Sequence, residues 1–139
     1  INVYHCLQQY LSRERVKEVY GLDYSEESIA IVSLLHDVCK INCYKPGTRN
    51  VKDEHGVWHS VPTYEFDDKL PYGHGEKSVY LLQKYIKLTD TEAMAIRWHM
   101  GYSDATFKGG QQSVSNAIKL YPVIALLHSA DIIATSTEE

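Results

Sequence analysis

Ser25-Glu26-Glu27-Ser28-Ile29-Ala30-Ile31-Val32-Ser33-Leu34-Leu35-His36-Asp37-Val38-Cys39-Lys40 is the stretch from which the rest of the chain is read. Ser25, followed by two acids, puts a side-chain acceptor and negative charge where a helix start favours them. From Ile29 to Leu35 the sequence is apolar nearly all round, as in a helix surrounded by other helices. The spacing predicts one helix running to about Lys40, with Asp37 near its end. A carboxylate moved from water into such surroundings costs several kcal/mol unless something positive meets it.

The same problem recurs near the C-terminus. In Val123-Ile124-Ala125-Leu126-Leu127-His128-Ser129-Ala130-Asp131-Ile132-Ile133, Asp131 stands inside an otherwise apolar helical run. Two carboxylates on distant apolar helices want a shared cation. The chain offers imidazoles for the same purpose: His36 beside Asp37, His74 at the start of one helical segment and His99 near the end of another. Imidazole and carboxylate together suit one or two divalent transition-metal ions, Mn, Fe, Co, Ni or Zn, without choosing among them. Taken singly, each such Asp or His is more often a hydrogen-bonded structural group than a ligand. Their joint occurrence favours a metal. On a helix, adjacent His36 and Asp37 point about 100° apart, so both can reach one ion or Asp37 can bridge two.

Working outward, Val3, Leu7, Tyr10, Leu11, Val16 and Tyr20 predict an amphipathic helix from Ile1 to about Tyr20, interrupted near Ser12 and stopped by Gly21. Ile1 lacks an initiator Met and a leader pattern, so the chain reads as one domain, 1–139, beginning inside a helix and lacking its N-terminal part. Between Asn42 and Gly73, Pro46-Gly47 and the turn-like Asp53-Glu54-His55-Gly56 predict an inserted β-hairpin. Helical pattern returns at about Gly75 to Leu88. It resumes over Asp90 to Met100, where Thr89 and Glu92 form a capping-box pair. After a loop from Gly101 to Gly110, helices are expected over Gln112 to Leu120 and, opened by Pro122, over Val123 to about Thr135. The fold class is therefore all-α, a helical bundle with a small inserted hairpin.

Composition excludes several classes. At 139 residues one domain can bury roughly two-thirds of its unfolded surface. No apolar run approaches the ~20 residues of a membrane span, so no membrane partner is expected. A net charge of −4 argues against binding a nucleic acid duplex, which needs a clustered basic surface. Cys6, Cys39 and Cys43 form no CxxC pair and read as free thiols, consistent with a cytoplasmic location; a soft-metal site at Cys39 and Cys43 is the less favoured alternative.

Four segments in order, Leu34-Leu35-His36-Asp37-Val38-Cys39-Lys40, Gly73-His74-Gly75-Glu76-Lys77-Ser78, Ile96-Arg97-Trp98-His99-Met100 and Ser129-Ala130-Asp131, resemble the HD superfamily of metal-dependent phosphohydrolases. The resemblance covers nearly the whole chain. It implies an HD-like helical bundle in which His36, Asp37 and Asp131 bind a first metal and Asp37, His74 and His99 a second. The family also has an early His before the HD pair, and two explanations compete here: a ligand upstream of Ile1, the favoured one, or His5. The implied reaction is hydrolysis of a phosphomonoester or phosphodiester, a nucleotide by resemblance, through a metal-bound hydroxide, with Asp37 or a neighbouring His handling the proton.

Around that centre, Lys40 is a candidate for catalysis or for holding the substrate anion, against the reading of a solvated last-turn lysine. His128, three residues before Asp131, is a candidate for substrate contact or ligand orientation, with core packing equally open. Tyr72, Lys77, Arg97 and Lys108 are further candidates for phosphate contact, each read first as a surface residue, and Lys108 is kept with Lys40 and His128 on the substrate side. His55 and His59 read as exposed hairpin residues. The loop Tyr102 to Gly110, with Phe107, is either a lid or an ordinary connection, the latter preferred. A catalytically weak, ligand-sensing domain is the alternative function, and a metal-dependent oxygenase a third.

Overall fold

The computed structural model describes residues 1–104 and 109–138. It is mostly helical, with seven α-helices and one two-stranded antiparallel sheet among the described residues. The helices are α1 (Asn2–Leu11), α2 (Glu14–Tyr20), α3 (Glu26–Leu35), α4 (His74–Leu82), α5 (Asp90–Trp98), α6 (Gly110–Leu120) and α7 (Val123–Glu138). Strands β1 (Tyr44–Lys52) and β2 (Trp58–Phe66) form the hairpin between α3 and α4. Lys108, Phe107 and the middle of the proposed lid lie outside the described residues.

The predicted break at Ser12 separates α1 from α2, because Arg13 is extended. Gly21 then stops α2 at φ +63, a left-handed value that glycine adopts without a Cβ clash. Ser25 caps α3 by accepting from the Ser28 amide. Thr89 and Glu92 close both halves of the capping box on α5. Glu92 is buried and also accepts from Ser28 at 2.6 Å, which ties the start of α5 to the start of α3.

Leu7 and Leu11 of α1, Ile29 and Val32 of α3, Leu82 of α4, Ala95 and Ile96 of α5, and Val123, Leu127 and Ala130 of α7 form one core. Trp98, Val114, Ala117 and Ile124 form a second, smaller one where α6 meets α5 and α7. Burying a Leu or Ile side chain contributes about 1.5–3 kcal/mol. These clusters are what hold the ends of α3, α5 and α7 together. No single helix among the described residues is long and apolar enough to cross a membrane.

Three boundaries differ from expectation. The helix expected to reach Lys40 ends at Leu35; His36 still has helical dihedrals, Asp37 has φ −101 and ψ 16, and Val38–Lys40 make a 3-10 turn. The reason is tertiary. The Cys39 amide donates to Ser78 Oγ of α4 at 3.2 Å instead of continuing the helical ladder. His36 and Asp37 are thus an exit from a helix, not neighbours 100° apart within one. Second, α4 stops at Leu82, and the Lys84 and Tyr85 amides bond three residues back in a tight turn, rather than continuing to Leu88. Third, Pro46-Gly47, read with the turn residues as a hairpin signal, lies inside β1, whose pairing runs from Tyr44↔Phe66 to Lys52↔Trp58. Asp53 closes the hairpin end, its carboxylate accepting from the His55 and Val57 amides at 2.9 Å.

Candidate metal centre

Asp37, at the helix exit, is the hub. Its Oδ1 lies 2.7 Å from His74 Nε2 and 3.5 Å from His99 Nε2. Its Oδ2 lies 3.8 Å from His36 Nε2 and accepts from Lys40 Nζ at 2.6 Å. Asp131 Oδ1 reaches the same His36 Nε2 at 3.4 Å. The residues expected to ligate metal, His36, Asp37, His74, His99 and Asp131, therefore meet in one place, from α3, α4, α5 and α7. The His36 and His99 rings stand 4.8 Å apart and those of His74 and His99 5.1 Å. The carboxylates are less sunken than the apolar runs implied: the Asp37 and Asp131 side chains are 30% and 23% exposed. Two of the imidazoles are the buried members, His36 buried and His99 0% exposed, while the His74 side chain is 30% exposed.

The ring orientations follow from the backbone. His36 Nδ1 donates to the Ser33 carbonyl at 3.0 Å, and His99 Nδ1 donates to the Ile96 carbonyl at 2.7 Å. A carbonyl oxygen can only accept, so Nδ1 carries the hydrogen and Nε2 is left to face Asp37. At both helix ends the ring folds back on the carbonyl three residues earlier. His99 Nε2 is fully buried and has no hydrogen-bond partner among the described residues. A buried polar atom without a partner costs about 1–3 kcal/mol, and a cation between it and Asp37 would remove that cost. His36, Asp37 and His99 have ligand atoms close enough to share one ion, as do Asp37, Cys39 and His74. The residues present thus fit a divalent metal.

The charges agree. Burial pushes the Asp37 carboxyl up, but His74, His99 and Lys40 around it outweigh this and hold it well below the usual carboxylate range. Its own hydrogen bond to His74, helped by the Cys39 sulfur, pushes that imidazole up to about 10. Asp131 is held low chiefly by His36, despite burial and the repulsion of Asp37.

Gly75, which the sequence reading did not single out, and Cys39, which it weighed only with Cys43 as a soft-metal alternative, shape the site. Gly75, the second residue of α4, lies against the end of α5: a Cβ there would sit 2.7 Å from the Arg97 carbonyl carbon and 2.9 Å from its Cα. Only glycine lets the two helices approach so closely, and that approach sets His74 beside His99. Cys39 is buried and its Sγ lies 3.3 Å from His74 Nδ1. No spacing signal marks Gly75. Its place in Gly73-His74-Gly75 is legible only with α5 beside it.

The remaining candidates fall as follows. Lys40 sits at the site on a 3-10 turn, with its ammonium on Asp37. His128 does not point its donor at the centre; its Nδ1 donates to the His99 carbonyl at 2.7 Å, bracing the backbone of a ligand. Two residues read first as surface groups are not: Lys77 is buried and donates to Asp68 at 2.5 Å, and Arg97 is held between Glu76 and Asp104. Both are engaged by carboxylates: the chain before α4 brings Asp68 over the Lys77 ammonium, and the α4–α5 packing brings Glu76 to the Arg97 guanidinium. Tyr72 is exposed against Tyr80. His55 and His59 are exposed on the hairpin, the latter 2.6 Å from Asp53. His5 is exposed beside Tyr4 and lines a cleft with Gln8, Ser12, Asp23 and Glu26, and is in neither ligand group.

That cleft, about 670 Å³, contains none of the converging imidazoles. A smaller cavity of about 250 Å³ adjoins the centre, walled by His74, Cys39, Lys40, Phe66 and Asp68. Chemistry favours the smaller one, since it opens beside the ligand cluster. Comparison of the chain with protein-family models, with curated proteins and with solved structures found no match.

Proposed function

We propose that this chain is a metal-dependent phosphohydrolase of the HD type, acting on a small phosphorylated substrate, a nucleotide being the leading class. The observation that carries the reading is the buried, unpartnered His99 Nε2 aimed at Asp37 beside the Nε2 atoms of His36 and His74. The ordered segments around His36-Asp37, His74, His99 and Asp131 that resemble the HD superfamily support it.

When bound, a divalent ion acidifies water toward a pKa of ~7 and offsets the negative charge of phosphate oxygens. The chain's residues do the rest. His36 and His99, each pinned at Nδ1, present Nε2 at a fixed angle, so little reorganisation accompanies ligand binding. Asp37 carries the charge that gathers the imidazoles, and Asp37 or a neighbouring His takes the proton in the reaction. Lys40, largely exposed, can release Asp37 and swing its ammonium to a substrate phosphate; an ion pair at such exposure contributes no more than about 1 kcal/mol. The adjacent cavity, at about 250 Å³, is below the ~300–1,000 Å³ of typical drug-sized sites, which suits a small ester.

The test combines elemental analysis of the purified protein with hydrolysis of an activated aryl phosphate. The reading expects bound Mn, Fe, Co, Ni or Zn and turnover that Asp37→Ala lowers by about 100-fold or more. Full activity in Asp37→Ala refutes it. Thermal stabilisation by a nucleotide without product release would replace hydrolysis with ligand sensing.

A further inference from the structure

Each of the three imidazoles around Asp37 has its outer nitrogen fixed and its inner nitrogen directed at Asp37; His36 and His99 are buried, and His74 is 30% exposed. For His36 and His99 the fixing group is a backbone carbonyl three residues back. His74 stands at the first position of α4, where no such carbonyl precedes it within the helix. Its Nδ1 meets the Cys39 sulfur instead, at 3.3 Å, while Nε2 lies 2.7 Å from Asp37 and 3.9 Å from the same sulfur.

Cys39 is held there from two directions. Its amide donates to Ser78 Oγ at 3.2 Å, and Ser78, 0% exposed, donates to the His74 carbonyl at 3.4 Å. Cys39, Ser78 and His74 thus close a ring of contacts between the 3-10 turn and the first turn of α4. The neighbouring Cys43 thiol points elsewhere, donating to the Cys39 carbonyl at 2.9 Å and meeting Lys77 Nζ at 3.0 Å. The third cysteine, Cys6, is in neither ligand group.

The geometry points to Cys39 as a positioning residue whose sulfur accepts from His74 Nδ1 and so aims His74 Nε2 at the metal, without the sulfur itself ligating the ion. Outer partners of metal-binding histidines are usually carboxylates, carbonyls or water, and they set both ring orientation and ligand basicity. Here a thiol sulfur fills that place. The assignment rests on the metal-centre reading above, and the experiment separates the two.

Cobalt(II) is titrated into the metal-free full chain, its Cys39→Ala and Cys39→Ser variants, and Ser78→Ala, with absorption spectra and chelator competition as readouts. Ligand-field bands without an intense thiolate-to-cobalt charge-transfer band are expected in the unsubstituted chain. Cys39→Ala should bind about 10- to 100-fold more weakly, Cys39→Ser should recover most of that loss, and Ser78→Ala should fall between. A merely structural cysteine would not be rescued by serine in affinity. A charge-transfer band that Cys39→Ser abolishes overturns the inference by making sulfur a direct ligand. Affinity unchanged in both Cys39→Ala and Ser78→Ala overturns it as well, while the metal centre stands. No cobalt binding by the unsubstituted chain overturns both. Should Cys39→Ala fail to fold, Cys39→Ser and Ser78→Ala still decide between these outcomes.

Discussion

Replacing Gly75 by alanine sets two effects against each other. In a helix interior alanine is favoured over glycine by about 1 kcal/mol, and by less in the first turn, where Gly75 stands. Propensity alone therefore predicts a slightly more stable protein. Packing predicts the reverse. The new methyl would lie 2.7 Å from the Arg97 carbonyl carbon and 2.9 Å from its Cα, both backbone atoms that cannot rotate away. Reaching the 3.4 Å at which ordinary contact begins requires α4 and α5 to separate. Overpacking of this kind costs about 1–3 kcal/mol, so the net effect is a loss of roughly 1–2 kcal/mol. For a chain of this size that is a fall in Tm of roughly 3–10 °C. The shift exceeds the ~0.5 Å within which a ligand constellation must be held, so metal affinity should fall with stability. Thermal unfolding followed by circular dichroism, with and without added cobalt(II), measures both. A Gly75→Ala protein as stable as its parent, or more so, would refute the close approach and the placement of His74 that depends on it.

Other outcomes follow from the same contacts. Asp37→Ala should lose metal on desalting, whereas Asp131→Ala, which touches only His36 among the imidazoles, should retain it more weakly; equal retention by the two would remove Asp37 as the hub. His128→Ala leaves the His99 carbonyl without its donor, and should cost about 1–3 kcal/mol in chemical denaturation, with a parent-like midpoint counting against the brace. In metal-free protein the His74 imidazole, raised to about 10 from its ordinary 6.5, contributes stability that is full below pH 6.5 and lost as pH rises through 10. Metal loading at neutral pH should therefore release a proton, visible as calorimetric heats that differ between buffers of unequal ionisation enthalpy; buffer-independent heats would refute it.

The chain's local chemistry made much of this legible. Ser25, the Thr89–Glu92 box and Gly21 act within a few residues of themselves, so their caps and stops can be read without knowing the fold. The hairpin was visible in Asp53-Glu54-His55-Gly56, although Pro46-Gly47 lies inside β1 and the full pairing depends on cross-strand pairs such as Tyr44↔Phe66. The apolar surroundings of Asp37 and Asp131 signalled that these carboxylates need partners. The end of α3 was not legible, since the decisive bond runs from the Cys39 amide to Ser78, thirty-nine residues away. Lys77 and Arg97 were misread for a similar reason: a charged side chain on a helix looks solvated until another element folds a carboxylate over it.

The sequence by itself determined which groups could serve the centre, because ligand chemistry belongs to side-chain type and the helical segments carrying them are marked by local caps and apolar periodicity. Only the tertiary structure decided their aim. Gly75 permits the helix approach, the Ser33 and Ile96 carbonyls fix two imidazoles, and Cys39 meets the third. Orientation depends on contacts between atoms far apart in the chain, and those come into being only when α3, α4, α5 and α7 pack together.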